Sequence, residues 1–141
     1  MIEYSSDAAR VSEEDVAPLF DGWSMSPSLA KRLEILRAAH GIELAWDQAT
    51  LVGFVSAISD GVSWAYVTLL EVLPGYRRRG IGAELMRRIL ERYHDLYAFD
   101  LNCDDGLVPF YERFGMQRLN GMVIRNHTAF GNPVEASVGD G

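Results

Sequence analysis

A chain of 141 residues, 48% of them hydrophobic, has the length of one domain and enough apolar side chains for its own core. Twenty acidic residues against thirteen basic ones leave a net charge of −7, which argues against nucleic acid or an anionic membrane as the main partner and suits a cationic small molecule better. The single cysteine, Cys103, excludes an intramolecular disulfide framework; with no Cys/His group at metal-ligand spacing, no signal-peptide pattern and no membrane-length apolar run, the expectation is a metal-free cytoplasmic protein.

Ile2 to Tyr4 is a short strand candidate, and Ser12 before "EEDVAPLF", with acids in the first turn, predicts a capped helix. Ser26-Pro27 opens "SLAKRLEILRAAH", where Leu29, Leu33 and Leu36 recur at helical spacing and Gly41 is the expected stop. The pattern then changes to the short apolar runs "IELAW", "LVGFVSAI" and "VSWAYVTLLEVL", separated by "DQAT" and "SDG", which predict an antiparallel meander. Ile81, Leu85, Ile89 and Leu90 lie on one side of an amphipathic helix whose other directions carry Arg87, Arg88, Glu91 and Arg92. "LYAFDLNC" is a further strand, "DGLVPFYERFG" a short helix ended by Gly115, and "MQRLNGMVIRN" carries an Asn120-Gly121 hairpin signal. A single domain over 1–130 is expected, followed by a mobile tail over 131–141.

The stretch "VLPGYRRRGIGAELMRRIL" sets three glycines and three arginines between a strand and that amphipathic helix. The first amides of a helix lack internal acceptors, and with the positive end of the helix dipole they form an anion site. Gly80 and Gly82 leave room for a phosphate, and Arg77, Arg78 and Arg79 place charge where a pyrophosphate would lie. Without an anion these arginines would oppose the dipole; a solvated cluster is the plainer alternative. The stretch lacks the Lys-Ser or Lys-Thr of a P-loop and the third glycine of a dinucleotide fingerprint.

"EVLPGYRRRGIGAELM" resembles the acetyl-CoA-binding motif of the GNAT family of N-acetyltransferases, whose core R/Q-x-x-G-x-G/A is met by Arg77, Gly80 and Gly82. "LNCDDGLVPFYERFGM" resembles the family's second signature, a strand leading to a short helix with Tyr111 before Gly115-Met116. The resemblance covers roughly residues 1 to 126. It implies an α/β fold of the α+β type, the GNAT acyl-CoA N-acyltransferase fold, with a mixed, mostly antiparallel sheet flanked by helices. It also implies acetyl-CoA as cosubstrate, with Leu70 and Val72 pairing their backbone with the pantetheine arm and the amides of Arg77, Arg78, Arg79, Gly80, Ile81, Gly82 and Ala83 holding the pyrophosphate. Asn102 is expected to face the cleft between the splayed strands. Asp104-Asp105 stand where the family usually has an Asn that touches the pantetheine. Members are often homodimers, and exposed strands near the C-terminus offer a pairing surface.

By the same resemblance Tyr111 is the general acid and the Val72 amide the oxyanion donor; the alternative for Tyr111 is packing of its helix on the sheet. Glu71 interrupts "YVTLLEVL", and strand alternation sets it opposite Leu70 and Val72, as a base acting through water or an attraction for a cationic acceptor. Asp100 is a weaker candidate of the same kind. His94 suits the far end of the arginine helix as a dipole partner, and His40 and His127 have no stronger case. Trp23, Met25 and Trp46 are candidates for an aromatic acceptor wall or for packing, and Arg125 for an acceptor carboxylate or for water. The expected activity is acetyl transfer to a primary amine, most simply a small molecule. A non-catalytic CoA-binding sensor or interaction module is the alternative, and nucleic-acid binding through the six arginines between Arg77 and Arg92 is disfavoured by the acidic remainder.

Overall fold

A computed structural model describes residues 1–23 and 26–131. Met25 and most of the expected C-terminal tail lie outside the described residues. Five strands form one sheet in the order β1 (Ile2–Ser5), β2 (Gly41–Asp47), β3 (Thr50–Ser59), β4 (Trp64–Val72) and β5 (Ala98–Leu101). Neighbours from β1 to β4 are antiparallel, and β5 joins β4 in parallel. The sheet is therefore mixed and mostly antiparallel, as expected.

β3 explains why "LVGFVSAI" reads as a continuous apolar run rather than an alternating one: residues 51 to 57 are buried, because helices cover both faces of the sheet. On one face Val55 and Ala57 pack against Leu85, Met86 and Ile89 of α3 (Ile81–Arg92). On the other, Leu44, Trp46 and Phe54 pack against Val16 of α1 (Glu13–Val16) and Leu36 of α2 (Leu29–Ala38). Trp46 is thus core, 2% exposed, and supplies no acceptor wall.

Local signals set most helix ends. Ser12 caps α1 through a capping box with Asp15, but the helix stops after one turn because Pro18 has no amide to continue the ladder. Ser28, rather than Ser26, caps α2 by accepting from the Lys31 amide at 3.1 Å. Gly41 is not the helix stop; α2 ends at Ala38 and Gly41 is the first residue of β2. After β5 a 3-10 turn, Asp105–Leu107, leads into α4 (Val108–Glu112), and Gly115 adopts φ 85° just beyond it, as its sequence position suggests.

The expected Asn120-Gly121 hairpin does not form. Residues 116–126 make no strand, and Leu119, Met122 and Ile124 are 86%, 94% and 96% exposed. A hairpin needs an apolar face to bury, and these side chains find none within the described residues.

Candidate acetyl-transfer site

The site begins where β4 loses its neighbour. β5 pairs with β4 only from Trp64↔Ala98 to Val67↔Leu101, so among the described residues the last five residues of β4 have no strand partner on that side. A register shift opposite this point, between Ser56 and Ala57, bends β4 as its pairing with β5 ends. The Leu73 amide donates to the Val52 carbonyl at 2.8 Å, and antiparallel pairs alternate between bonded and non-bonded. Val72 and Leu70, in register with Gly53 and Val55, are then non-bonded pairs, so their amides and carbonyls point away from β3 into the opening. Leu70 and Val72 thus present a free strand edge, with the Val72 carbonyl accepting from Arg77 Nε at 2.9 Å.

That edge leads to the start of α3. Gly80 is its N-cap, in the left-handed conformation at φ 82° and without a side-chain cap; the first helical bond runs from the Glu84 amide to the Gly80 carbonyl at 3.0 Å. The amides of Ile81, Gly82 and Ala83 therefore have no intrahelical acceptor. The Ile81 side chain is core, 2% exposed, so only its amide can serve a ligand. A Cβ built on Gly82 would meet Phe110 at 3.8 Å and Val72 at 3.9 Å, ordinary contacts, so nothing inside the protein demands glycine there.

The arginines divide into two groups. Arg87 and Arg88 share Glu84, and Arg92 pairs with Glu43 at 2.8 Å, so these three arginines are engaged within the protein itself. Arg77, Arg78 and Arg79 are exposed and have no ion-pair partner among the described residues. Arg79 stacks 5.0 Å over the Tyr76 ring, and the Tyr76 hydroxyl donates to Asp47 at 2.6 Å, which ties the 74–76 turn to the end of β2. This leaves the unpaired positive charge concentrated at the helix start.

Tyr111 lies on α4, 9% exposed, in a cavity of about 550 Å³ shared with Leu101, Asn102 and Cys103. Burial first, and the neighbouring Cys103 second, push its hydroxyl up to about 12, so it keeps its proton at neutral pH. Asn102 follows the end of β5, lines the cavity beside Tyr111, and its Nδ2 donates to the Tyr66 hydroxyl at 2.6 Å. Asp100 accepts from Trp64 Nε1 at 2.7 Å, opposite the paired part of β4 rather than beside the opening. His94 bonds the Glu91 carbonyl at 2.8 Å at the end of α3, where its backbone and charge raise the imidazole pKa. His40 bonds the Tyr93 hydroxyl at 2.7 Å, and His127 and Arg125 are exposed.

Glu71 is on the face opposite Leu70 and Val72. Its carboxylate accepts the Phe20 amide on both oxygens, at 2.9 and 3.1 Å. Burial raises its pKa, against the opposing pull of the Phe20 and Asp21 amides and the Arg77 charge. Phe20, at φ 67°, stacks edge-on to Trp23 at 4.7 Å, and Trp23 reaches Phe130 at 6.4 Å. Arg32 holds the same loop from α2, donating to the carbonyls of Ala17 at 2.8 Å and Pro27 at 2.9 Å. Sequence reasoning missed Phe20, Arg32 and Tyr76; none carries a local signal, since each acts through a partner distant in the chain.

Comparisons with known proteins agree with this geometry. The model of the Acetyltransferase (GNAT) family matches residues 8–116. A candidate acetyltransferase from Deinococcus radiodurans R1 is similar at 40% identity and a TM-score of 0.86, covering 94% of both chains. A GNAT-family acetyltransferase from Streptococcus pneumoniae TIGR4 is 29% identical with a TM-score of 0.76, covering 89% of this chain and 98% of the other. An uncharacterised N-acetyltransferase, ycf52, of Gracilaria tenuistipitata var. liui is 29% identical over 79% of this chain, which spans 65% of the length of that relative. A free β4 edge that runs into an uncapped, glycine-led helix, on a chain whose greater part matches that family model, places this protein in the GNAT acetyltransferase family.

Proposed function

We propose that the protein transfers an acetyl group from acetyl-CoA to a primary amine of a small, cationic acceptor, both bound at once. The observation that carries the reading is the continuity of two unsatisfied surfaces: the edge at Leu70 and Val72 and the amides of Ile81, Gly82 and Ala83. An extended amide-bearing arm that ends in a pyrophosphate matches that order of donors, and acetyl-CoA is such a molecule, supplying its acetyl group as an activated thioester. Arg77, Arg78 and Arg79 add charge around the pyrophosphate.

The remaining chemistry falls to a few side chains. The amine nitrogen attacks as the free base; a C–N bond forms, the C–S bond breaks, and the thiolate needs a proton. Tyr111, which burial keeps protonated up to about 12, donates that proton to the departing sulfur as the C–S bond breaks, and the proton released by the amine restores it through water. The Val72 amide, free on the open side of β4, steadies the carbonyl oxygen. Glu71 lines the opposite face, where its negative charge attracts a cationic acceptor and the amine proton leaves through water.

Thermal unfolding with acetyl-CoA, CoA, ATP and NAD at equal concentration tests the cofactor assignment. A ligand at about 100 times its dissociation constant adds about 2.7 kcal/mol, several degrees for a domain of this size. Selective stabilisation by acetyl-CoA and CoA is expected; no shift with either overturns it. With an acceptor in hand, Tyr111→Phe should lose turnover and keep acetyl-CoA affinity. An unchanged turnover would remove Tyr111 from the mechanism.

A further inference from the structure

Acetyl transfer leaves one nucleophilic side chain in the cavity around Tyr111 unused. Cys103 is the single cysteine of the chain; it is exposed, follows the end of β5, and lines the cavity of about 550 Å³ together with Tyr111. A free cysteine alone says little, but the tyrosine beside it is a separate sign that this cavity takes a ligand. The hydroxyls of Tyr66, Tyr76 and Tyr93 each have a protein partner. That of Tyr111, a residue only 9% exposed, has none among the described residues. A buried hydroxyl normally finds a partner inside the protein, so this one is left for a ligand atom. Cys103 lies near enough for its charge to act on that hydroxyl.

Charge decides which molecules reach the thiol. Asp105 and Glu112 also line the cavity, and Arg118 is already bonded to Asp105 at 2.9 Å. A free anionic disulfide such as glutathione disulfide therefore meets negative charge at Cys103 with nothing to hold it there. A disulfide anchored through its phosphates at Arg77, Arg78 and Arg79 does not depend on that approach.

We propose that Cys103 is a modification site selective for CoA: its thiolate exchanges with the symmetric disulfide of CoA held in the acetyl-CoA site, leaving one CoA joined to the protein. The inference rests on the acetyl-transfer reading, which sets the CoA sulfur against the Tyr111 hydroxyl and so in the cavity that Cys103 shares. Cys103 gives its proton to water and attacks the sulfur of the anchored CoA half. A Cys103–CoA disulfide forms, the original disulfide breaks, and the other half leaves as a thiolate that takes up a proton. One thiol is oxidised and one released, so no further oxidant is needed. Two sulfurs in one cavity meet locally rather than by collision, which is the source of selectivity. The joined CoA fills the β4 edge and the start of α3, and acetyl transfer stops until a free thiol reverses the exchange.

Intact-mass measurement on the full chain, incubated with CoA disulfide or glutathione disulfide at equal concentration, tests this. One CoA should add at least about tenfold faster than one glutathione, and dithiothreitol should remove it. Cys103→Ser should abolish the adduct while CoA still raises the melting temperature. Arg78→Gln with Arg79→Gln should slow addition of CoA and leave the glutathione rate unchanged, a split that a generally reactive surface thiol would not show. Equal rates with the two disulfides, or a CoA adduct insensitive to the arginines, overturn the proposal. Thermal stabilisation by CoA without an adduct overturns it and leaves the acetyl-transfer reading standing; the absence of both removes that reading as well.

Discussion

Gly80 and Gly82 sit two residues apart and carry opposite constraints. At φ 82° Gly80 occupies a conformation that costs an L-residue about 1–2 kcal/mol, so Gly80→Ala should lower the urea-unfolding free energy by about that much. Gly82 is helical with room for a methyl group, and Gly82→Ala should raise stability by up to about 1 kcal/mol in the same measurement. Glu71 gives a pH signature. Burial raises its pKa above 4.5, so the folded state keeps the proton after the unfolded chain has lost it. The stability linked to this group is complete below about 4.5 and declines as pH rises through the raised value. Glu71→Gln should flatten that decline, measured as the urea midpoint against pH; an unaltered slope would show that another group causes it.

At the scale of elements, α3 is tied at both ends. Its C-terminal Arg92 donates to Glu43 at 2.8 Å and to the Ile42 carbonyl at 3.2 Å, while Ser6 donates to the same Glu43 oxygen at 2.8 Å. Glu43 is 6% exposed. Arg92→Met leaves that carboxylate buried without its cation and should cost about 3–5 kcal/mol, whereas Arg92→Met with Glu43→Leu should recover most of the loss in thermal unfolding. The N-terminal end is held through the 74–76 turn, where Tyr76 bonds Asp47. Tyr76→Phe removes a hydrogen bond to a charged group from the turn that leads into the Gly80 loop. Calorimetric titration should then show weaker acetyl-CoA binding.

For the whole molecule, the decisive feature is the parting of β4 and β5. One sheet with helices on both faces has no interior cavity large enough for a cosubstrate, because its interior is filled by two packed apolar layers. Letting two strands separate at Val67 and Leu101 opens a site without breaking either layer.

What the sequence determined by itself was whatever depends on neighbours in the chain. "GYRRRGIG" carries its anion site in consecutive residues; Ile81, Leu85 and Ile89 mark the buried side of α3 by helical spacing; and Ser12 announces its own capping box. Strand alternation also sufficed to set Glu71 opposite Leu70 and Val72. Tertiary structure decided what depends on distant partners. Glu71 meets Phe20 across 51 residues, Trp46 turns from a candidate wall into core, and Asn102 bonds Tyr66 across 36 residues. The Asn120-Gly121 signal was correct chemistry for a turn and still formed no hairpin. A turn residue sets a local backbone preference, but a strand exists only where another strand receives its hydrogen bonds and an apolar surface receives its side chains.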